Sequence, residues 1–451
     1  MRQLRLSISV LSLFLLAVPL FAKNYVLTAS KWTKAQSAEV AEAQGSLIYW
    51  NSAGFGLASS MDPYFVAKTK KSGKFAEVIP DLVTRWTHQT QTASVDAATL
   101  VLNPAIITAS QWVPASVNAP AAWQAGFKGQ GVRIAVIDGG IYDTHVDLQG
   151  AVDFPRSRSF MPGLNFNQDT GMFWHGTHVA GIIAARDNGI GITGVAPEAT
   201  IIGIKALDDE NGGFGEITAG IYYAATPINE GGAGAHIINL SVESLLDRSQ
   251  ASMDPETKKL IAEYNKAIDF ATKKGVLVIC AAGNDSLDLS QERDVVAVPA
   301  ELRTALAISA TGPNGFARGD TNFRRPAQYS NFGDGTIWLA GPGGNNQFDT
   351  TLCPPPGNAD SPVLYPCPIF DMVLSTVRGP EGSRDSYWWA RGTSMAAPAV
   401  AGVAALAKQA HPGIKLADLK KLLVSTADDE GPAGPDKFYG FGFPNAGKAV
   451  Q

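Results

Sequence analysis

Arg391-Gly-Thr-Ser-Met-Ala-Ala-Pro-Ala-Val-Ala-Gly402 is the stretch whose reading decides the fold. A glycine turn delivers Ser394 to the start of an Ala- and Val-rich run that forms a helix. Pro398 is expected in the first turn of that helix, where its missing N–H removes no intrahelical bond. Ser394 would then present its hydroxyl at a helix N-terminus, beside the positive end of the helix dipole. A lone serine there is usually only a cap. What lifts Ser394 above a cap is the set of residues upstream that could act on it.

Working outward, short and nearly all-apolar runs alternate with helical stretches. Val132–Ile137, Thr200–Lys205, His236–Ser241, Val276–Ala282, Val295–Ala300 and Ala305–Ala310 read as buried strands. Thr177–Ala185, Glu216–Ala225 and Pro255–Lys274 read as helices between them. The alternation predicts an α/β domain over residues 111–451, with a parallel sheet sandwiched between helical layers. Residues 24–83 run β-α-β-β-α-β, the order of a small ferredoxin-like α+β unit. The expected organisation is an export segment over 1–22, this unit within 23–94, a linker over 95–110 with a processing site, and the α/β domain. Linker character extends from Thr84 to about Ser110, where periodicity fades (His88-Gln-Thr-Gln-Thr-Ala-Ser-Val), and cleavage is expected within that range.

The first 22 residues carry an address. Arg2 and Arg5 precede an apolar run from Leu6 to Leu20, and Ala22 is a plausible last residue before cleavage. That run holds about 15 residues against the roughly 20 needed to span a bilayer, which favours export over a retained anchor. The chain has 451 residues, 45% of them hydrophobic, and a formal net charge of −5. Such a balance supplies no basic footprint for nucleic acid. Of three cysteines, Cys353 and Cys367 bracket a proline-rich stretch and could close it as a disulfide. Cys280 ends an apolar run and reads as a buried thiol.

Three stretches fall where an α/β sheet keeps its working residues, at strand ends and helix starts. They are Val136-Ile-Asp-Gly-Gly140, His175-Gly-Thr-His-Val-Ala-Gly181 and the Ser394 turn. Asp138, His175 and Ser394 are the residue types that acyl transfer to a hydroxyl requires: orienter, base and nucleophile. A fourth stretch, Ile279-Cys-Ala-Ala-Gly-Asn-Asp285, ends a strand with Asn284, whose amide could meet an oxyanion beside the Ser394 N–H. Taken singly, Asp138 could be a helix cap, His175 a satisfied core histidine and Asn284 a turn residue.

Together, in this order and glycine context, the four stretches resemble the motifs of the subtilisin-like serine proteases, the subtilases. Subtilisin is itself a standard example of this triad order and of the oxyanion asparagine. The resemblance covers about residues 111–451 and implies a serine endopeptidase acting on protein or peptide substrates. It also implies that the leading unit is an inhibitory propeptide. Carried over by position, it makes Asp138 the orienter, His175 the base and acid, Ser394 the nucleophile and Asn284 the oxyanion donor. His178 is expected to be structural. The substrate segments would be Asn211–Gly215, with Gly213, and Ser241-Val242-Glu243, with Ala281, Ala282 and Gly283 lining the pocket. A structural calcium would take the Asp147 carboxylate, the Asn188 side chain, carbonyls of Arg186, Ile190 and Ile192, and Gln111.

The chain departs from the family pattern in three places. Gly139-Gly140 follows Asp138, an insertion spans Leu245–Thr257, and Glu243 stands where glycine is usual. Glu243 either reaches the pocket and favours basic side chains, or turns to solvent or is displaced by the insertion. An α/β-hydrolase is excluded by the Asp, His, Ser order and by Gly-Thr-Ser-Met-Ala in place of Gly-x-Ser-x-Gly. A catalytically silent scaffold of the same fold is the remaining alternative.

Overall fold

The computed structural model describes residues 22–87, 91–93, 104–248, 254–345, 350–379 and 385–451. The expected export segment, apart from Ala22, lies outside them, as does most of the segment read as the processing linker.

The leading unit is built from β1 (Lys23–Thr28), α1 (Lys34–Glu42), β2 (Gly45–Trp50), β3 (Phe55–Ser60), α2 (Phe65–Lys71) and β4 (Glu77–Pro80). Its four strands lie antiparallel in the order β2-β3-β1-β4, the ferredoxin-like arrangement. Alternation along β1 explains how both faces are buried. Tyr25 and Leu27 join Trp32, Val40 and Phe65 in the unit's own core. Val26 points the other way and, with Phe55, Leu57 and Ile79, enters the core of the large domain.

Beyond it come β5 (Val83–Arg85), β6 (Gln91–Ala93) and α3 (Pro104–Ser110). The helix α3 stands where the sequence suggested linker. Ile106 and Ile107 are the reason: both are buried, in a cluster with Tyr365, Phe370 and Trp389. A weakly periodic segment is ordered here by tertiary packing.

The large domain follows with β7 (Arg133–Asp138), α4 (His175–Ala184), β8 (Thr200–Lys205), β9 (Asn211–Gly213) and α5 (Phe214–Ala225). Then come β10 (Ile237–Leu240), β11 (Ser244–Asp247), α6 (Pro255–Lys273), β12 (Leu277–Ala281), β13 (Val295–Val298), β14 (Leu306–Gly312) and β15 (Ile337–Pro342). The chain ends with β16 (Val373–Arg378), β17 (Asp385–Arg391), α7 (Thr393–Ala410), α8 (Leu416–Ser425) and a last turn of helix. The central sheet runs β15-β14-β12-β10-β7-β8 with every one of these pairs parallel. Short strands at 158–159 and 325–326 complete it. Ile134 and Val136 pack towards α4 and α7, while Ala135 and Ile137 pack towards α5 and α6. A strand buried on both faces needs this unbroken apolar run.

One expected strand belongs elsewhere. Val295–Val298 pairs antiparallel with Ser244–Asp247, outside the central sheet. An all-apolar run reports burial and not which sheet receives it. The chain leaves β7 to one side for β8 and returns to the other side for β10, so the strand order reverses between them. In open α/β sheets that reversal opens a crevice at the C-terminal ends of the strands.

Candidate active site

Asp138 is the last residue of β7 and is almost wholly buried. His175 opens α4 after Phe173 and Trp174, both in the left-handed region at φ 47° and 56°. Two bulky residues in that region are costly, and such strain concentrates at functional sites. The turn aims the imidazole at β7. Nδ1 of His175 lies 2.9 Å from each carboxylate oxygen of Asp138. The approach is possible because residue 176 is glycine: a Cβ there would collide with the Gly140 carbonyl.

Burial disfavours the imidazolium, but the Asp138 carboxylate outweighs it and holds the His175 pKa above its ordinary value. Nε2 of His175, on the opposite side of the ring, is buried without a hydrogen-bond partner among the described residues. Ser394 donates from Oγ to the Ser241 carbonyl at 3.1 Å instead. Ser394 and His175 are thus not hydrogen-bonded to each other among the described residues.

Pro398 corrects the sequence reading of the helix. It is the sixth residue of α7 and lies in the second turn, where it does remove an intrahelical bond. The acceptor it would have used is the carbonyl of Ser394. That carbonyl receives the Ser241 hydroxyl at 2.8 Å, so the vacancy left by proline fastens the nucleophile to the end of β10.

Asn284 follows β12 and Gly283. Its Oδ1 accepts from the Thr393 N–H at 2.9 Å and from the Thr393 hydroxyl at 3.0 Å. The carbonyl oxygen of the amide is thereby fixed, which turns the NH₂ away from Thr393. Ser394 itself lies in the first turn of α7, whose N–H groups have no intrahelical acceptor. The amide of Asn284 and the backbone of Ser394 can serve one oxyanion.

A comparison with known proteins settles the family. Residues 129–442 match the profile of the subtilase family, Peptidase S8. The chain belongs to the subtilase family. It is 34% identical over 341 residues to subtilisin BL of Lederbergia lenta, spanning 75% of this chain and 98% of that one. It is 34% identical over 350 residues to M-protease of Shouchella clausii, spanning 77% and 72%. Among solved structures, a lanthipeptide protease superposes with a TM-score of 0.60 at 26% identity, covering 76% of this chain and 95% of that one. Fervidolysin of Fervidobacterium pennivorans, at 21% identity, shares the fold over 96% of this chain and 61% of its own (TM-score 0.64). As a subtilase the protein is a serine endopeptidase, and its substrates are proteins or peptides.

In this subtilase most of the expected substrate residues lie at the ends of two neighbouring strands. Ser241, Val242 and Glu243 follow β10, and Ala281, Ala282 and Gly283 end and follow the parallel β12, both at the C-terminal side of the sheet where Ser394 bonds to Ser241. Val242 turns its side chain into the core. Gly213 ends β9, which is paired antiparallel with β5 of the leading segment. Glu243 is buried, which removes the solvent-facing alternative.

Several ionisable neighbours carried no signal in the sequence. Asp169 accepts from the N–H and hydroxyl of Thr177 and from the Gly171 N–H, and burial raises its pKa to about 6. Lys205 donates from Nζ to the Gly139 carbonyl at 2.6 Å and to Thr170 at 2.7 Å. Both brace the Gly139-Gly140 turn and the start of α4. Neither lies in a motif, and only the fold brings them to Asp138. His178 is structural, bonded to the Trp388 carbonyl at 3.0 Å, with burial pushing its pKa down to about 3.

The residues expected around a cation are only partly assembled. The Asp147 carboxylate accepts from the Ile192 N–H (2.9 Å), the Tyr387 hydroxyl (2.8 Å) and Asn188 Nδ2 (3.1 Å). Asn188 Oδ1 accepts from the Ile190 N–H, and Arg186 donates its N–H to the Asp147 carbonyl. Gln111 is engaged elsewhere, both ends of its amide paired with the backbone of Thr193. Cys353 and Cys367 are bonded, and Cys280 is buried and free.

Proposed function

We propose that this endopeptidase is an exported enzyme made as a precursor that cuts itself free of its leading unit. In the cutting reaction Ser394 Oγ turns from the Ser241 carbonyl to His175 Nε2, gives up its proton and attacks the scissile carbonyl carbon. The Asp138 carboxylate stabilises the imidazolium so formed. The oxyanion is met by the Asn284 NH₂ and the Ser394 N–H. Collapse expels the amine with the proton from His175, and water then hydrolyses the acyl-enzyme by the same route.

The observation that carries self-processing is the path of the chain on both sides of residues 88–90. Upstream, β5 pairs with β9, the Trp86 N–H donates to the Glu210 carbonyl, and the Glu243 N–H donates to the Trp86 carbonyl. Downstream, β6 pairs with β17, whose last residue, Arg391, precedes Ser394 by three. Both flanks are held as added strands on segments that border the nucleophile, the mode in which a protease holds an extended substrate. We therefore assign the bond to the stretch between Thr87 and Gln91, within the Thr84–Ser110 range expected for cleavage and upstream of the 95–110 linker. Ser394→Ala should accumulate as a precursor beginning near Lys23, whereas the wild type should begin between His88 and Gln91. N-terminal sequencing reads both, and a Ser394→Ala protein that matures normally in a protease-deficient host ends the proposal.

A structural calcium belongs to the same proposal. Asp147 is buried, and desolvation raises its pKa, so a bound cation would favour the charged carboxylate. Asp147, Asn188 and carbonyls of Arg186, Ile190 and Ile192 would hold the ion; bound there, it would tie the loop after α4 to the segment before it. Gln111 would first have to leave Thr193.

A further inference from the structure

We propose that Glu243 and Asp285 make the crevice beside Ser394 selective for a cationic side chain, Lys or Arg, before the bond cut in other proteins; this rests on the endopeptidase reading above, and the cut between Thr87 and Gln91, a stretch without Lys or Arg, is driven instead by the tethering of the leading unit. Glu243 borders the peptide path, since its N–H donates to the Trp86 carbonyl at 2.7 Å. Its carboxyl reaches the end of β12 and packs on Gly283, where a Cβ would collide with Oε1. The glycine is what admits the carboxyl.

The donors there are too few for the acceptors. Asn331 Nδ2 carries two hydrogens and faces Glu243 Oε1 at 3.0 Å, the Ala282 carbonyl at 3.1 Å and Asp285 Oδ2 at 3.4 Å. Its own Oδ1 is occupied by the N–H groups of Asp285 and Leu287, so the amide cannot turn. Glu243 Oε2 is left buried with no partner among the described residues. Burial raises the Glu243 pKa well above the usual range, and the Asp285 charge raises it further. Cys280 beneath it is buried and uncharged.

A buried acceptor without a donor is costly, and two carboxyl groups sharing one amide more so. Against an uncharged side chain Glu243 must retain a proton to sit beside Asp285. An ammonium or guanidinium end supplies three or more N–H donors and a positive charge between the two carboxyls. The charge needed to complete this site is then brought by the substrate.

The test compares purified wild type with Glu243→Gln on peptides differing only in the residue before the cut: Arg, Lys, Phe or Ala. In the wild type, kcat/KM for Arg and Lys should exceed that for Phe and Ala. In Glu243→Gln the ratio should fall by roughly 10–100-fold, the worth of a hydrogen bond to a charged group. Benzamidine and uncharged benzamide, titrated by calorimetry, read the crevice without turnover: benzamidine should bind more tightly to wild type and lose that advantage in Glu243→Gln. A wild-type preference for Phe or Ala, or a ratio unchanged by Glu243→Gln, overturns the proposal. If a fluorophosphonate fails to label Ser394 while benzamidine still discriminates, the catalytic reading fails and the acidic crevice stands.

Discussion

Asp138 and Asp81 both lie where the chain leaves a strand, and their surroundings differ in one respect that decides what each can do. Asp138 ends β7 against the ring of His175, an acid facing a group that can carry the opposite charge. Asp81 follows β4 and spans from the leading unit to the N-terminus of α5, where both its oxygens accept from the Gly215 N–H at 3.0 Å. The side chain it meets there is a second acid, Glu216, which is buried and also bonded to Asn24. Desolvation raises both pKa values, and the Glu216 carboxyl raises that of Asp81 further, so the contact holds together by retaining a proton. An acid paired with a base keeps its charge and can serve a reaction; an acid paired with an acid makes a joint that senses pH.

Neutralising Asp138 should break the first half of that comparison most visibly. Asp138→Asn is expected to lower kcat by about 10⁴ with little change in melting temperature, the size known for this substitution in a related triad. Because Asp138 raises the His175 pKa and the base must be neutral, wild-type kcat/KM should fall as pH drops through a value above His175's ordinary 6.5. In Asp138→Asn the residual rate should lose that limb to lower pH. A pH–rate profile unmoved by the substitution would mean that the pair is only structural. Asn284→Ala comes next, with kcat reduced roughly 10²–10³-fold and KM nearly kept, since its bond forms in the transition state. An effect confined to KM would assign Asn284 to substrate binding instead.

Asp147 sharpens the comparison as a third case, a buried acid whose missing charge would be a metal ion. Stripping calcium should lower the melting temperature and speed self-digestion, because an ion at 100 times its Kd contributes about 2.7 kcal/mol. Asp147→Ala should reproduce most of that loss, and a chelator that changes neither quantity would remove calcium from the proposal.

The smallest effect belongs to Asp81. A carboxyl whose pKa is raised in the folded contact stabilises it below the ordinary carboxylate range, and the contribution is lost as pH rises through the raised value. In the uncut Ser394→Ala background, Asp81→Asn should therefore have the higher melting temperature at pH 8. The gap should be roughly 2–4 °C and should shrink towards pH 4. A gap that is constant with pH would show that the two acids do not share a proton.

The sheet, the ferredoxin-like unit and the four candidate catalytic positions were legible because each is written locally, in apolar runs, in element order or in a glycine-framed motif. Glu243 was visible as a departure but not in direction, since its burial depends on Gly283 and Asn331, 40 and more positions away. Asp169 and Lys205 stayed hidden for the same reason: a single acid in a loop and a lysine ending a strand resemble ordinary surface residues until β7 and β8 align them. The helix at 104–110 and the displaced strand at 295–298 were misplaced because tertiary contacts, and no local period, fix them. Pro398 slipped by one turn, within the usual uncertainty of helix boundaries.

The sheet of the leading unit, with one face on its own helices and the other on α5 and α6, bears on the order in which the molecule folds. Its strands pair across shorter separations, the longest joining Tyr25 to Pro80, whereas the central sheet must join β7 to β10, Ile134 to Ile237, across about a hundred residues, and Asn118 bonds to Asn445 near the other end. Non-local parallel pairing is slow because the chain is closed into long loops before any contact rewards it. A unit that assembles early and offers Val26, Phe55, Leu57 and Ile79 as a finished apolar surface gives α5 and α6 a place to dock. Cleavage between Thr87 and Gln91 would then discard the template after use. A protease released in this way would owe its lifetime to slow unfolding more than to equilibrium.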